Sequence, residues 1–128
     1  MNPDILIYAN TIIATSKALL RDSQLSNKQR EVIEVISRAA NEFVRIYDDC
    51  MAMPFEKFAR ELRHEIMNPL TPIRGYSEML LIGMIGVLTP EQQEFVQQIA
   101  ESGNMLRSGV DVVVNNARKL VTATAVTA

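Results

Sequence analysis

The chain carries the same amphipathic helical stripe twice, at an offset of 63 residues. The first copy is Gln29, Val32, Ile36, Ala39, Phe43, Ile46 and Cys50. The second is Gln92, Phe95, Ile99, Ser102, Leu106, Gly109 and Val113. Both step in threes and fours, the spacing of one face of an α-helix. At the same offset Leu25, Gln29, Glu31, Ile36, Asn41 and Asp48 meet identical residues at Leu88, Gln92, Glu94, Ile99, Asn104 and Asp111. A lone amphipathic hairpin cannot cover its own apolar stripe, so it packs on another. The repeat therefore predicts an all-α chain whose antiparallel helical hairpins form a four-helix bundle. Composition agrees: hydrophobic residues make up 48% of the chain and aromatics only 5%, as in a bundle core rather than a sheet.

Start and stop signals divide the chain further. A first helix is expected over residues 4–22, with Asn2 as its cap and Pro3 at its first position. Ser26 can cap a second helix over about 27–51, and Pro54 marks the break before a third, over about 55–82. Gly83 and Gly86 end that one. Thr89, Pro90 and Gln92 form the start signal of a fourth helix reaching about Leu120. Three segments follow from this. Residues 1–53 form a degenerate hairpin without histidine, 54–120 a hairpin with it, and 121–128 an uncharged tail with no helical face.

The chain has one histidine, His64, in the stretch Arg63-His64-Glu65-Ile66-Met67-Asn68-Pro69-Leu70. Around it Phe55, Phe58, Leu62, Ile66, Leu70, Ile73, Tyr76 and Leu80 form an apolar stripe. His64 lies two residues from both Leu62 and Ile66, roughly 200° round the helix, and so points outward together with Glu61 and Asn68. An exposed imidazole titrates near neutrality and offers a nucleophilic nitrogen. Glu65 can hold the other ring nitrogen protonated or act as a base. Pro69 and Pro72 cannot donate to the carbonyls of Glu65 and Asn68, which predicts a bent or loosened turn just after His64. Taken by itself, a single surface histidine is more often only that.

Several classes are excluded or disfavoured. A helical zinc site needs a second histidine four residues on, where Asn68 stands, so no metal site is expected. The net charge of −2 gives no basic footprint for nucleic acid. Cys50, the one cysteine, falls on an apolar stripe and reads as a packed thiol in a reducing compartment. No secretory signal is visible, and the apolar run from Met79 to Leu88 is far too short to span a bilayer. The expectation is a soluble, cytoplasmic chain. No Gly-x-Gly or other phosphate cradle occurs, so no cofactor is expected on this chain.

Phe58 to Tyr76, F-A-R-E-L-R-H-E-I-M-N-P-L-T-P-I-R-G-Y, resembles the H-box of the dimerisation and histidine-phosphotransfer (HisKA-type) domain of two-component sensor histidine kinases. Phe58, His64, Glu65, Asn68, Pro69 and Leu70 match the pattern, and Leu88-Thr89-Pro90-Glu91-Gln92 resembles the start of that domain's second helix. The likeness covers about residues 55 to 120. It implies that His64 is the phosphoacceptor, Glu65 its acid–base partner, and Asn68 a residue that positions water for dephosphorylation of a partner. Arg63 and Met67 depart from the pattern, at positions where small and basic residues are common, and this bears on partner choice. The partners implied are a response-regulator receiver domain and a histidine kinase catalytic domain, with ATP and Mg expected only on those. A non-catalytic adaptor that binds the same domains is the alternative. Two closures fit the repeat: a homodimer through the H-box hairpin, or an intramolecular pseudo-dimer of both hairpins.

Overall fold

The structure is a computed structural model that describes residues 4–127. The cap expected at Asn2 and Pro3 lies outside these. Four helices follow in order: α1 (Ile5–Leu20), α2 (Asn27–Met51), α3 (Phe55–Leu81) and α4 (Pro90–Thr127). Short loops make each helix antiparallel to the next. α3 packs on α2 and α4, and α1 packs on the same two, so α1 and α3 stand on one diagonal and α2 and α4 on the other. The bundle closes within one chain.

Its core draws on both hairpins. Ile5, Ile12 and Leu19 of α1 and Ile33, Ile36 and Phe43 of α2 are buried with Leu62, Ile66, Leu70, Ile73 and Leu80 of α3 and Val96, Ile99, Leu106 and Val113 of α4. Among the described side chains, which do not include that of Phe55, the expected stripes are the buried ones, with small shifts: Phe95 is half-buried while Val96 is fully covered, and Tyr76 sits at the margin beside buried Ser77. Gly103 lets α4 close on α3; a Cβ there would stand 3.1 Å from the Ile73 side chain.

Both expected caps form. The Ser26 hydroxyl accepts from the Gln29 amide at 3.1 Å, and the Gln29 side chain accepts from the Ser26 amide at 3.0 Å. Thr89 and Gln92 make the same reciprocal pair at 3.1 and 2.9 Å. Gly83 and Gly86, with φ of 84° and 87°, take the left-handed turns that end α3 and form the loop. Two boundaries differ from expectation. α1 ends at Leu20, and Arg30 takes over its terminal carbonyls, donating to the oxygens of Leu20 at 2.6 Å and Asp22 at 2.9 Å. α4 continues to Thr127 rather than Leu120. No proline or glycine interrupts it after Val110, so the hydrogen-bond ladder propagates.

The α1–α2 and α3–α4 loops share one end of the bundle, and the two capping glutamines cross between them. Gln29 Nε2 donates to the Val87 carbonyl at 3.4 Å. Gln92 Nε2 donates to Asp22 Oδ2 at 2.9 Å. Both glutamines are buried, so each side-chain amide is committed to its own helix start and to the other hairpin's loop. The bond from the Gln24 amide, followed by that from Gln92, holds the Asp22 carboxyl below its ordinary value of 3.8. A depressed carboxyl stabilises the fold fully above its ordinary value and loses that contribution as the pH falls through its folded value. Gln92→Ala is therefore expected to cost about 1–3 kcal/mol at neutral pH, by losing a cap and a buried cross-link. The gap to the parent narrows below pH 3.8 in urea melts, as Asp22 protonates and the cross-link, present only in the parent, weakens.

Candidate functional site

The α3 helix is built so that one face is apolar and the opposite face carries the polar part of the H-box. Leu62, Ile66, Pro69 and Leu70 are buried, while Arg63, His64, Glu65, Met67 and Asn68 are exposed. The His64 ring thus stands in solvent on the outer face, with Glu65 next to it and Asn68 one turn further towards the end of α3. α3 runs without a break through Pro69 and Pro72. The prolines leave the carbonyls of Glu65 and Asn68 without the usual helical donors but do not end the helix. Thr71 Oγ1 donates back to the Met67 carbonyl at 2.8 Å, one more irregularity of the same turn.

Electrostatics differ on the two sides of His64. Towards α2, Arg45 is clamped between Glu42 and Asp49, the latter at 2.9 Å. Its hydrogen bond to Glu42 raises the guanidinium pKa, with smaller help from the charges of Glu42, Asp49 and Glu65, and lowers that of Glu42. Burial pushes the Cys50 thiol up, and the charges of Glu65 and Glu61 push it further. Cys50 is a packed thiol at the foot of α2, as its stripe position predicts. Glu65 and Glu61 therefore look towards the end of α2. On the α4 side stand Arg63 and, one turn earlier, Arg60, whose Nε lies 3.7 Å from Glu61.

Two shallow concavities flank α3. One, of about 490 Å³, lies between α2 and α3 and includes Asn68. The other, of about 590 Å³, lies between α3 and α4 and runs from Thr71 towards Leu81. His64 and Asn68 are both exposed on the face where the spacing puts them; Glu61, expected there too, is half-buried, and Glu65 is exposed about 100° further round the helix. The α2 side chains beside them, Arg38, Glu42, Arg45 and Asp49, were not singled out by sequence. Their steps of four, three and four mark them as one charged face, but nothing in the spacing tells which helix that face adjoins. No helix among the described residues is long and apolar enough to cross a membrane.

Residues 56–116 match the His Kinase A (phospho-acceptor) domain family. The sensor histidine kinase GlrK of Escherichia coli (strain K12) is 35% identical over 63 residues, which is 49% of this chain and 13% of that protein. The sensor histidine kinase QseE of Escherichia coli O157:H7 matches to the same extent. The histidine protein kinase DivJ of Caulobacter vibrioides is 26% identical over 105 residues, 81% of this chain and 18% of that protein. The chain thus spans less than a fifth of the length of these relatives. No solved structure matches it. An exposed H-box histidine on the first helix of an antiparallel hairpin, and a family match over that same hairpin, identify residues 56–116 as a HisKA-type dimerisation and phosphoacceptor domain of two-component signalling.

Proposed function

We propose that the chain is a phosphotransfer module in which His64 relays a phosphoryl group to or from the aspartate of a response-regulator receiver domain. The observation that carries this reading is the exposure of the only imidazole in the chain, on a helix face followed by exposed Glu65 and Asn68. One ring nitrogen attacks the phosphorus in line; a P–N bond forms as the bond to the donor oxygen breaks. Glu65 holds the proton on the other nitrogen and offsets the positive charge that develops on the ring. In onward transfer the receiver's carboxylate oxygen attacks phosphorus, the P–N bond breaks, and the ring recovers its lone pair. Asn68, one turn along, is placed to orient water against a phosphorylated partner. The donor on the kinase side is a catalytic domain holding ATP and Mg, and magnesium on the receiver screens the transferred charge. Within the chain, the α1–α2 hairpin takes the place that a second copy has in a homodimer, giving a pseudo-dimer with one phosphoacceptor.

The test uses phosphoramidate, a small donor that phosphorylates imidazoles without a kinase. The charged chain is mixed with purified receiver domains and Mg²⁺, and label is followed on both proteins. The expected result is loss of label from the chain matched by gain on a receiver. Binding of receivers without movement of label would favour the adaptor reading, which Arg63 and Met67 also favour.

A further inference from the structure

We propose that an amphipathic helix of a second protein docks in a groove between the ends of α2 and α4, on the side away from α3, where α1 stops short. At the 63-residue offset Ile5, the first residue of α1, pairs with Asn68. Phe55 to Met67 of α3 thus have no counterpart among the described residues, a shortfall of about 20 Å at ~1.5 Å per residue. Over that length α2 and α4 have α3 on one side and no fourth described helix on the other. Ala39 packs beside Pro69 and Pro72, and α2 runs antiparallel to α3, so the end of α2 lies level with the turns around His64.

Burial follows the shortfall. On the side of α3 the helix ends stay covered: Ile46 and Cys50 of α2 and Val110, Val114 and Ala117 of α4 are buried. On the side of α1 they open. Ile33, Ala40, Val44, Tyr47 and Met51 share one face of α2. The first two are fully buried, the next two half-buried, and Met51 is 58% exposed. Burial, and then the charges of Asp4 and Asp48, push the Tyr47 hydroxyl above its usual value, so Tyr47 stands beside the first turn of α1. In α4, Leu106 and Val113 are buried, but Leu120, seven residues further on the same face, is 52% exposed, and neighbouring Val112 is 43% exposed. Two antiparallel apolar stripes with an open place between them form the seat of a helix.

Charge selects the kind of helix. Exposed Asp48 borders the groove on α2, and exposed Lys119, seven residues after Val112, borders it on α4. A matching occupant turns basic residues towards α2 and acidic ones towards α4. The start of α3 has this pattern: an apolar stripe of Phe58, Leu62 and Ile66, Arg60 and Arg63 on the edge of its own hairpin partner, and Glu61 and Glu65 on the opposite edge. The pseudo-two-fold that exchanges α2 and α4 would set those arginines against Asp48 and those glutamates against Lys119. The occupant is therefore a helix patterned like Phe55 to Met67, carried by another protein.

The probe is a capped, fluorescein-labelled peptide of residues 55–67, titrated with the full-length chain and read by anisotropy. Saturable binding is expected. Met51→Asp and Val112→Asp, both at exposed positions, weaken it at least about tenfold, with helical content at parent level. Ile82→Asp, exposed at the other end of the bundle, changes it less than about twofold. Asp48→Lys weakens it about threefold, and Arg60→Glu with Arg63→Glu in the peptide restores binding to that variant. Absence of saturable binding to the parent overturns the proposal. So does binding that Met51→Asp and Val112→Asp leave unchanged, the mark of a peptide displacing its own copy within α3. A parent that sediments as a dimer, and as a monomer after Val112→Asp, gives the groove to a second copy and also overturns it. None of these readouts involves phosphate on His64, so their failure leaves the relay reading standing.

Discussion

His64→Gln takes up no phosphate above background from phosphoramidate, while its thermal midpoint stays with the parent. The chain has no second imidazole to substitute for the first. Glutamine keeps a polar side chain of similar reach but has no ring nitrogen that can hold a phosphoryl group. The ring is exposed and the core beneath it is made by Leu62, Ile66 and Leu70, so the substitution leaves stability within about 0.5 kcal/mol. Label on a phosphohistidine is acid-labile and base-stable, which separates it from label on serine or on aspartate. Equal labelling of His64→Gln would remove His64 from the mechanism. A large drop in its melting temperature would give the residue a packing role in place of a chemical one.

Deletion of residues 1–53 produces the second large effect: the remaining hairpin ceases to be a stable monomer. α1 and α2 cover the stripe of Phe58, Leu62, Ile66, Leu70, Ile73 and Leu80 and its counterpart of Val96, Ile99, Leu106, Val110 and Val113. Full burial of one such side chain is worth about 1.5–3 kcal/mol. Losing half of that at most of these positions is as large as the roughly 5–15 kcal/mol by which a domain is stable. The truncated chain is expected to sediment as a dimer or to aggregate, whereas the full chain sediments as a monomer at micromolar concentration. A full chain that sediments as a dimer would overturn the pseudo-dimer. A truncated chain that stays monomeric and helical would show that the first hairpin is dispensable for the fold.

Much of this fold could be read from local chemistry. Ser26 with Gln29 and Thr89 with Gln92 announced their helix starts because a capping box is closed within four residues. The outward direction of His64 followed from the positions of Leu62 and Ile66 alone. What escaped depends on contacts far apart in sequence. Gln29 and Gln92 cross to loops 58 and 70 residues away, and no spacing rule links a capping residue to a distant loop. Arg30 closes the end of α1 from the next helix. The end of α4 was misplaced because weak helix formers such as Thr122 and Thr124 read as a tail, although nothing there blocks the ladder. Likewise, Arg38 announces a charged face, but only the packing of α2 on α3 sets it beside Asn68.

The unlikeness of the two hairpins has a quantitative consequence. An assembly of two equal subunits can be charged once or twice, and its sites can help or hinder each other. This chain contains a single imidazole, so its charged fraction has no intermediate step. Its response to donor concentration is expected to be hyperbolic, with a Hill coefficient of about 1. Any steepness in a circuit built on it has to arise elsewhere.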